Sequence, residues 1–205
     1  MKTYKLILKE SGNRMLTLSR YAVLRDMIDI SNKVSLADRI FIDTDMHLTE
    51  DTIESYIQLQ RSIVKPNDIF ICLGDMIFDE DTDKLRSTWC DLFAQMNGKY
   101  KCLVLGNNDL LRRRFYIQNC GFDTASLSLK LGNIVFTHCP VHTNSDKIIN
   151  IHGHVHRRNE RRVWINRSGT RINYDGPKHA SNEVFTIITK PVRLTDILRM
   201  SNDEI

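Results

Sequence analysis

Arg39-Ile40-Phe41-Ile42-Asp43-Thr44-Asp45-Met46-His47 starts as an apolar run and ends in a polar cluster. Arg39 to Asp43 reads as a buried strand, too short and too apolar for a surface helix. The same order recurs downstream. Asp51 with Glu54 three residues later is a helix-start signature, and Ile53, Tyr56, Ile57 and Ile63 then share one helical face. A break at Lys65-Pro66-Asn67-Asp68 precedes a second apolar strand, Ile69 to Leu73. Leu85, Trp89, Leu92, Phe93 and Met96 form a helical stripe, which Asn97-Gly98 ends. A third apolar strand, Cys102 to Leu105, follows. Strand, helix, strand, helix, strand argues for an α/β fold with parallel strands.

Beyond residue 122 the pattern changes. Ser126 to Leu131 and Ile134 to Thr137 flank Gly132-Asn133, a hairpin signal. Further strand-like runs are Ile148 to Ile151, Arg162 to Ile165, Arg171 to Tyr174 and Val184 to Thr189. They predict a second, more antiparallel sheet, with a short terminal helix from Leu194 to Met200. Upstream, Tyr4 to Leu8 reads as a strand, Ser11-Gly12-Asn13 as a turn and Ser19 to Ile30 as a short helix. The chain thus divides into an N-terminal extension of unknown role, 1–37, and one domain, 38–205.

Composition narrows the classes. The 205 residues, 41% hydrophobic and 26% charged, are those of an ordinary globular chain with a sizeable core. No apolar stretch approaches the ~20 residues of a membrane span. Met1-Lys2-Thr3-Tyr4-Lys5 and the three apolar residues after it are too short for a signal peptide. The cysteines, Cys72, Cys90, Cys102, Cys120 and Cys139, are odd in number and form no C-x-x-C pair. They are read as reduced core thiols of a cytoplasmic protein. A net charge of +4 is too mild to imply a nucleic-acid partner by itself.

Polar residues gather where the apolar strands end: Asp43-Thr44-Asp45-Met46-His47, Gly74-Asp75, Gly106-Asn107-Asn108-Asp109, His138 and His152-Gly153-His154-Val155-His156. In open α/β sheets ligands bind at the carboxyl ends of strands. Carboxylate with imidazole is the donor mixture of manganese, iron or zinc rather than calcium. Residues two apart on a strand end point to one side, so Asp45 can act with His47, and His154 with His156. Glycine before Asp75, Asn107 and His154 lets the backbone turn tightly.

The order D-x-H, G-D, G-N-x-D, a lone H and then G-H-x-H, over roughly residues 39–157, resembles the calcineurin-like metallophosphoesterases. It is most similar to the small single-domain members of bacteria and bacteriophages. The resemblance implies two mixed β-sheets packed as a sandwich and flanked by helices. It also implies a dinuclear centre of two divalent transition-metal ions, manganese foremost, with iron, zinc or nickel as alternatives. Asp45, His47 and His156 would hold one ion, Asn107, His138 and His154 the other, and Asp75 would bridge them. The implied activity is phosphoester hydrolysis by a metal-bridging hydroxide. Catalytic roles would fall to Asp75, Asn107, Asn108 and Asp109, and substrate contacts to Asn108 and Arg157.

The chain departs from the family at Asn108, where histidine is usual and is thought to steady the transition state or protonate the leaving oxygen. Asparagine supplies no proton at neutral pH. That favours phosphodiesters, or substrates with an already stabilised leaving group, over alkyl monoesters. The arginines Arg112-Arg113-Arg114, Arg157, Arg158, Arg161, Arg162, Arg167 and Arg171 tilt the substrate toward a nucleotide or nucleic acid, although most read as a solvated face. Other residues carry two readings. Asp109 orients Asn108 and its loop or caps the next helix. His152 supports the ligands or fills space. Asp43 is a strand-end partner, Asp79 stands near a position where the family often has a carboxylate, and His142 and His179 are loop residues. Three alternatives stay open: a phosphomonoesterase or protein phosphatase on the same scaffold, a catalytically weak metal-binding interaction module, and a nucleic-acid-binding protein driven by the arginines. Oligomeric state is not encoded in any motif.

Overall fold

The computed structural model describes residues 25–78, 81–139, 148–154, 164–167, 170–173 and 190–203. Strand β1 is Met27–Asp29 and β2 is Ile40–Asp43. Helix α1, Ile53–Ile63, leads to β3, Ile69–Cys72. Helix α2 is assembled from Thr82–Lys84, a wide π turn at Leu85–Trp89, and Cys90–Ala94. Then come β4 (Tyr100–Val104), α3 (Arg113–Asn119), β5 (Thr124–Ser126), β6 (Ser128–Leu131), β7 (Ile134–Thr137) and β8 (Ile149–His152). The chain closes with β9 (Trp164–Arg167), β10 (Thr170–Asn173), β11 (Val192–Arg193) and α4 (Leu194–Asp203).

Two mixed sheets result. One has five strands in the order β11-β2-β3-β4-β5, the other six in the order β1-β6-β7-β8-β9-β10. Strands β2 to β5 run parallel, and β11 closes that sheet antiparallel to β2. The alternating side chains explain why β2 to β4 read as unbroken apolar runs: both faces are covered. Phe41, Phe70, Cys72 and Leu103 face one cluster with Tyr56 and Ile57 of α1, Trp89 and Phe93 of α2, and Tyr116 of α3. Ile40, Ile42, Ile69, Ile71, Cys102 and Val104 face the other. There they meet Leu129, Leu131, Ile134, Phe136 and Ile151 of the six-stranded sheet, with Leu194 and Ile197 of α4. Each fully buried isoleucine in this layer is worth about 1.5–3 kcal/mol relative to exposure. The architecture is an α/β sandwich of two mixed sheets, with helices covering the five-stranded one.

Several elements differ from the sequence-based expectation. Met27–Asp29, expected within a helix, is a strand paired in parallel with β6, and Ile30 and Val34 join the inter-sheet core. Residues 27–34, assigned above to the extension, are therefore structural members of the domain. Ser126 belongs to β5 and the other sheet; the hairpin proper is β6–β7, closed between Leu131 and Ile134 with Gly132 at φ 59°. Strand β8 pairs in parallel with β7. Strands β9 and β10 begin at Trp164 and Thr170 and pair antiparallel. The short strands β5 and β11 were not expected. Helix α1 starts at Ile53 without a side-chain cap, so the Asp51–Glu54 signature is not used. The runs Tyr4 to Leu8 and Val184 to Thr189 lie outside the described residues.

Candidate metal centre

Strands β2, β3 and β4 are parallel, so their carboxyl ends lie on one edge, and parallel β7 and β8 likewise share an edge. The two edges meet. His138 Nδ1 donates to the Leu73 carbonyl at 2.7 Å, tying the end of β7 to the end of β3. His154 N donates to both Asp45 oxygens, at 2.9 and 3.2 Å. Within the first edge, Asp45 N donates to Gly74 O at 2.9 Å and His47 N to Asp75 O at 3.0 Å.

Left-handed backbone, not strand pleating, turns the side chains inward. Asp45, His47, Asp75 and His154 have φ of 52°, 43°, 54° and 68°. Each such non-glycine residue costs about 1–3 kcal/mol and persists where the surroundings over-determine it. Strand alternation, expected to put Asp45 and His47 on one side, is not the geometry found, since both lie on left-handed backbone. The glycines also act differently from expectation. Only Gly74, at φ 92°, is left-handed among the three that precede Asp75, Asn107 and His154. Gly106 and Gly153 are required by contact. A Cβ on Gly106 would lie 2.2 Å from Asp75 Oδ1, and one on Gly153 2.4 Å from Asp45 Oδ2.

Acceptor atoms converge as a result. Because Nδ1 of His138 is committed to Leu73, Nε2 faces the centre. It lies 3.0 Å from Asn107 Oδ1, 3.2 Å from His154 Nδ1 and 3.4 Å from Asp75 Oδ2. His47 Nε2 approaches the same Asp75 oxygen at 3.7 Å and stacks on Phe78 at 4.7 Å. Asp45, Asp75 and His138 place ligand atoms within 4.8 Å of one another, as do His138, Cys139 and His154. Lone pairs facing one another in a buried space require a cation or a proton between them. In the metal-free chain a proton serves. Burial alone would lower the His138 pKa, but the charge and hydrogen bond of Asp75 outweigh it and lift the imidazole to about 9. Burial likewise works to raise Asp75, yet His138 beside it holds the carboxyl below its ordinary value. The donor set fits divalent metal ions.

The neighbouring residues take distinct places. Asp109, 6% exposed, accepts from Gly106 N at 2.7 Å, Asp75 N at 2.9 Å and Met76 N at 3.4 Å. It locks the loops after β3 and β4 together, in keeping with the orienting reading; burial first, then the charge of Asp75, pushes its pKa up to about 6. Asn108 donates from its backbone and its amide to the two Asp75 oxygens, at 2.9 and 3.0 Å. Asp43 accepts from Tyr56 Oη at 2.9 Å and Thr44 N at 2.9 Å, which makes it a strand-end partner. His152 is fully buried, and its Nδ1 pairs with Gly153 O at 2.9 Å. Arg113 pairs with Asp26. His142, His156, Arg157, His179 and Asp79 lie outside the described residues. Sequence reasoning missed two neighbours. Thr44 Oγ1 donates to Asp45 Oδ2 at 2.8 Å, although Thr44 stands inside the motif. Cys139 was read as a core thiol, yet it borders the centre; burial, then Asp75 and Asp45, push its thiol pKa up.

The family model for calcineurin-like phosphoesterases matches residues 39–187. The chain belongs to the calcineurin-like phosphoesterase family. Metal-dependent phosphoester hydrolysis is the chemistry of that family, and among the described residues Asp45, Asp75 and His138, and His138, Cys139 and His154, form groups that could hold an ion. No curated protein matches the chain. Two solved structures are similar to parts of it. A protein of unknown function from Aquifex aeolicus shares 16% identity, with 53% of this chain and 64% of its own covered, at a TM-score of 0.39. A cold-active protein-tyrosine phosphatase from a psychrophilic Shewanella species shares 12% identity, with 64% of this chain and 49% of its own covered, at a TM-score of 0.34. The chain spans less than two thirds of either protein's length. Among the described residues, no helix of this calcineurin-like phosphoesterase is long and apolar enough to cross a membrane.

Proposed function

We propose that the chain hydrolyses phosphodiesters of the nucleotide or nucleic-acid type at a dinuclear centre. Asp45, His47 and His156 would hold one ion, Asn107, His138 and His154 the other, with Asp75 between them and manganese the foremost metal. The observation that carries this reading is the convergence of acceptors on the Asp75 carboxylate and His138 Nε2. Bound there, divalent ions supply Lewis acidity toward phosphoryl oxygens and lower the pKa of water.

The chain's own residues supply placement. Leu73 fixes the His138 tautomer so that Nε2 carries the lone pair. Asp109 fixes the backbone that carries Asp75 and Asn107. Asn108 spends one amide hydrogen on Asp75; the second, without a partner among the described residues, can donate to a phosphoryl oxygen. Neither can protonate a leaving oxygen at neutral pH, which supports diesters over alkyl monoesters. Arg157, next to His156, is proposed as a phosphate contact.

The test is a hydrolysis screen over mono-, di- and cyclic phosphoesters with manganese, nickel, zinc and magnesium. Faster turnover of diesters is expected. Preference for monoesters would transfer the reading to a phosphomonoesterase or protein phosphatase. Stoichiometric metal without turnover would make the chain an interaction module.

A further inference from the structure

Cys139 stands outside every role given above. Its sulfur and the ring nitrogens of His138 and His154 lie within 4.8 Å of one another. The backbone beneath this trio is pinned. Thr137 Oγ1 donates to the Cys139 carbonyl at 2.6 Å, and Gly153 N donates to the His138 carbonyl at 3.0 Å. His138, 3% exposed, aims Nε2 into the same space because Leu73 holds its other nitrogen. Asn107 Oδ1 is 3.0 Å from that Nε2. The other thiols are placed differently. Cys72 and Cys120 are buried in the apolar cluster beneath the helices, and Cys102 in the one between the sheets. Cys90 is half-buried on α2 against Asp91. Among the described residues, Cys139 is the cysteine that joins a group of ligand-type side chains.

We propose that Cys139 is a sulfur ligand to the ion held by Asn107, His138 and His154, and that it biases this position toward thiophilic ions, zinc ahead of manganese. The proposal rests on reading the site as a metal centre. Sulfur–zinc and nitrogen–zinc bonds of about 2.3 and 2.0–2.1 Å leave two ligand atoms at most about 4.4 Å apart across one ion. As the sulfur–metal bond forms, the thiol proton passes to solvent and the thiolate offsets one charge of the ion. Thiolate with imidazole is a zinc-type set, whereas carboxylates suit manganese. The two positions become unequal: Asp45, Asp75 and His47 form an oxygen-rich side, and Cys139 with two histidines a soft one.

Cobalt(II) titration of the metal-free full chain tests this, with calorimetry for stoichiometry and near-ultraviolet absorption for sulfur bonding. The wild type is expected to show a sulfur-to-cobalt charge-transfer band. Cys139→Ser is expected to bind cobalt without the band, and its preference for zinc over manganese falls. Cys90→Ser, remote from the site, keeps both. Cobalt bound by the wild type without the band overturns the proposal and leaves the metal-centre reading standing. A band that survives in Cys139→Ser also overturns it, because the sulfur then comes from elsewhere. No cobalt bound at all overturns the metal-centre reading, and this proposal with it.

Discussion

Asn108 grips Asp75 by both oxygens: the backbone N–H donates to Oδ1 at 2.9 Å and the side-chain amide to Oδ2 at 3.0 Å. Asp75 is 1% exposed and sits on left-handed backbone at φ 54°. Its rotamer is therefore set by the neighbouring loop. Asp109 holds the same loop from behind through Asp75 N and Gly106 N. The centre is prearranged by the ends of β3 and β4 acting together.

Asp109→Ala is expected to loosen that arrangement. It leaves the N–H groups of Gly106, Asp75 and Met76 without this acceptor, at about 1–3 kcal/mol for each that is buried. Metal affinity should fall roughly 10–100-fold, the usual cost of losing a group that orients ligands. Thermal denaturation and manganese titration of the variant check both effects. Unchanged affinity would show that the loops hold Asp75 without Asp109.

Gly153→Ala places a methyl group 2.0 Å from Thr44 Oγ1 and 2.4 Å from Asp45 Oδ2. Either the end of β8 or the Asp45 loop must move. Loss of at least one bound ion is expected, read by elemental analysis after manganese loading. Full metal content in a folded variant would mean that Asp45 is not held against this backbone.

Gln60→Leu separates fold from site. Gln60, fully buried, exchanges hydrogen bonds with Asn97, Nε2 to O and N to Oε1, each 2.9 Å. Leucine leaves both backbone groups without these partners, at about 1–3 kcal/mol each. The melting temperature should fall while metal affinity stays at the wild-type value. A parallel fall in both would show that the helix layer and the centre are coupled.

Removing metal should expose a pH dependence that the loaded protein lacks. His138 moves from an ordinary 6.5 to about 9 in the metal-free fold, where burial opposes the shift and Asp75 drives it. A raised pKa contributes stability that is complete below about 6.5 and is lost as pH rises through 9. With chelator, the melting temperature should therefore decline across that window. Loaded protein should be flatter there, since the ion takes the proton's place, and loading should release protons. Melting curves at stepped pH, with and without metal, decide it.

The fold was legible where burial on both faces produced unbroken apolar runs, as in Ile40–Asp43 and Ile69–Cys72. It was illegible where pairing depends on distant partners. Met27–Asp29 is three residues long and gains its strand character from Ser128–Lys130, a hundred residues away. Thr124–Ser126 is polar and short. The direction of β8 leaves no trace in periodicity, since parallel and antiparallel strands alternate alike. At the site, residue type and order marked the side chains that gather at the strand ends, but left-handed turning at Asp45 and His154 is a tertiary outcome. Cys139 was hidden for a related reason: a cysteine beside apolar strands looks like packing until the end of the parallel neighbour β8 supplies His154.

Asn108→His tests the role of the position where this chain leaves its family's pattern. The backbone N–H to Asp75 Oδ1 survives the substitution, but the amide bond to Oδ2 is lost. Imidazole brings a group that titrates near neutrality and can protonate a leaving oxygen. Two opposing effects are expected. Metal affinity falls modestly, because Asp75 loses one restraint. Turnover of substrates with poor leaving groups rises, by up to about 10²-fold where the geometry is right, while activated aryl diesters gain little. The measurement is turnover at saturating metal across aryl phosphodiesters of rising leaving-group pKa, for both forms, with metal affinity read separately. A flatter dependence in the histidine variant supports the reading that asparagine limits the wild type to stabilised leaving groups. Equal slopes with weakened metal binding would mean that position 108 serves Asp75 alone, and the preference for diesters would then need another physical cause.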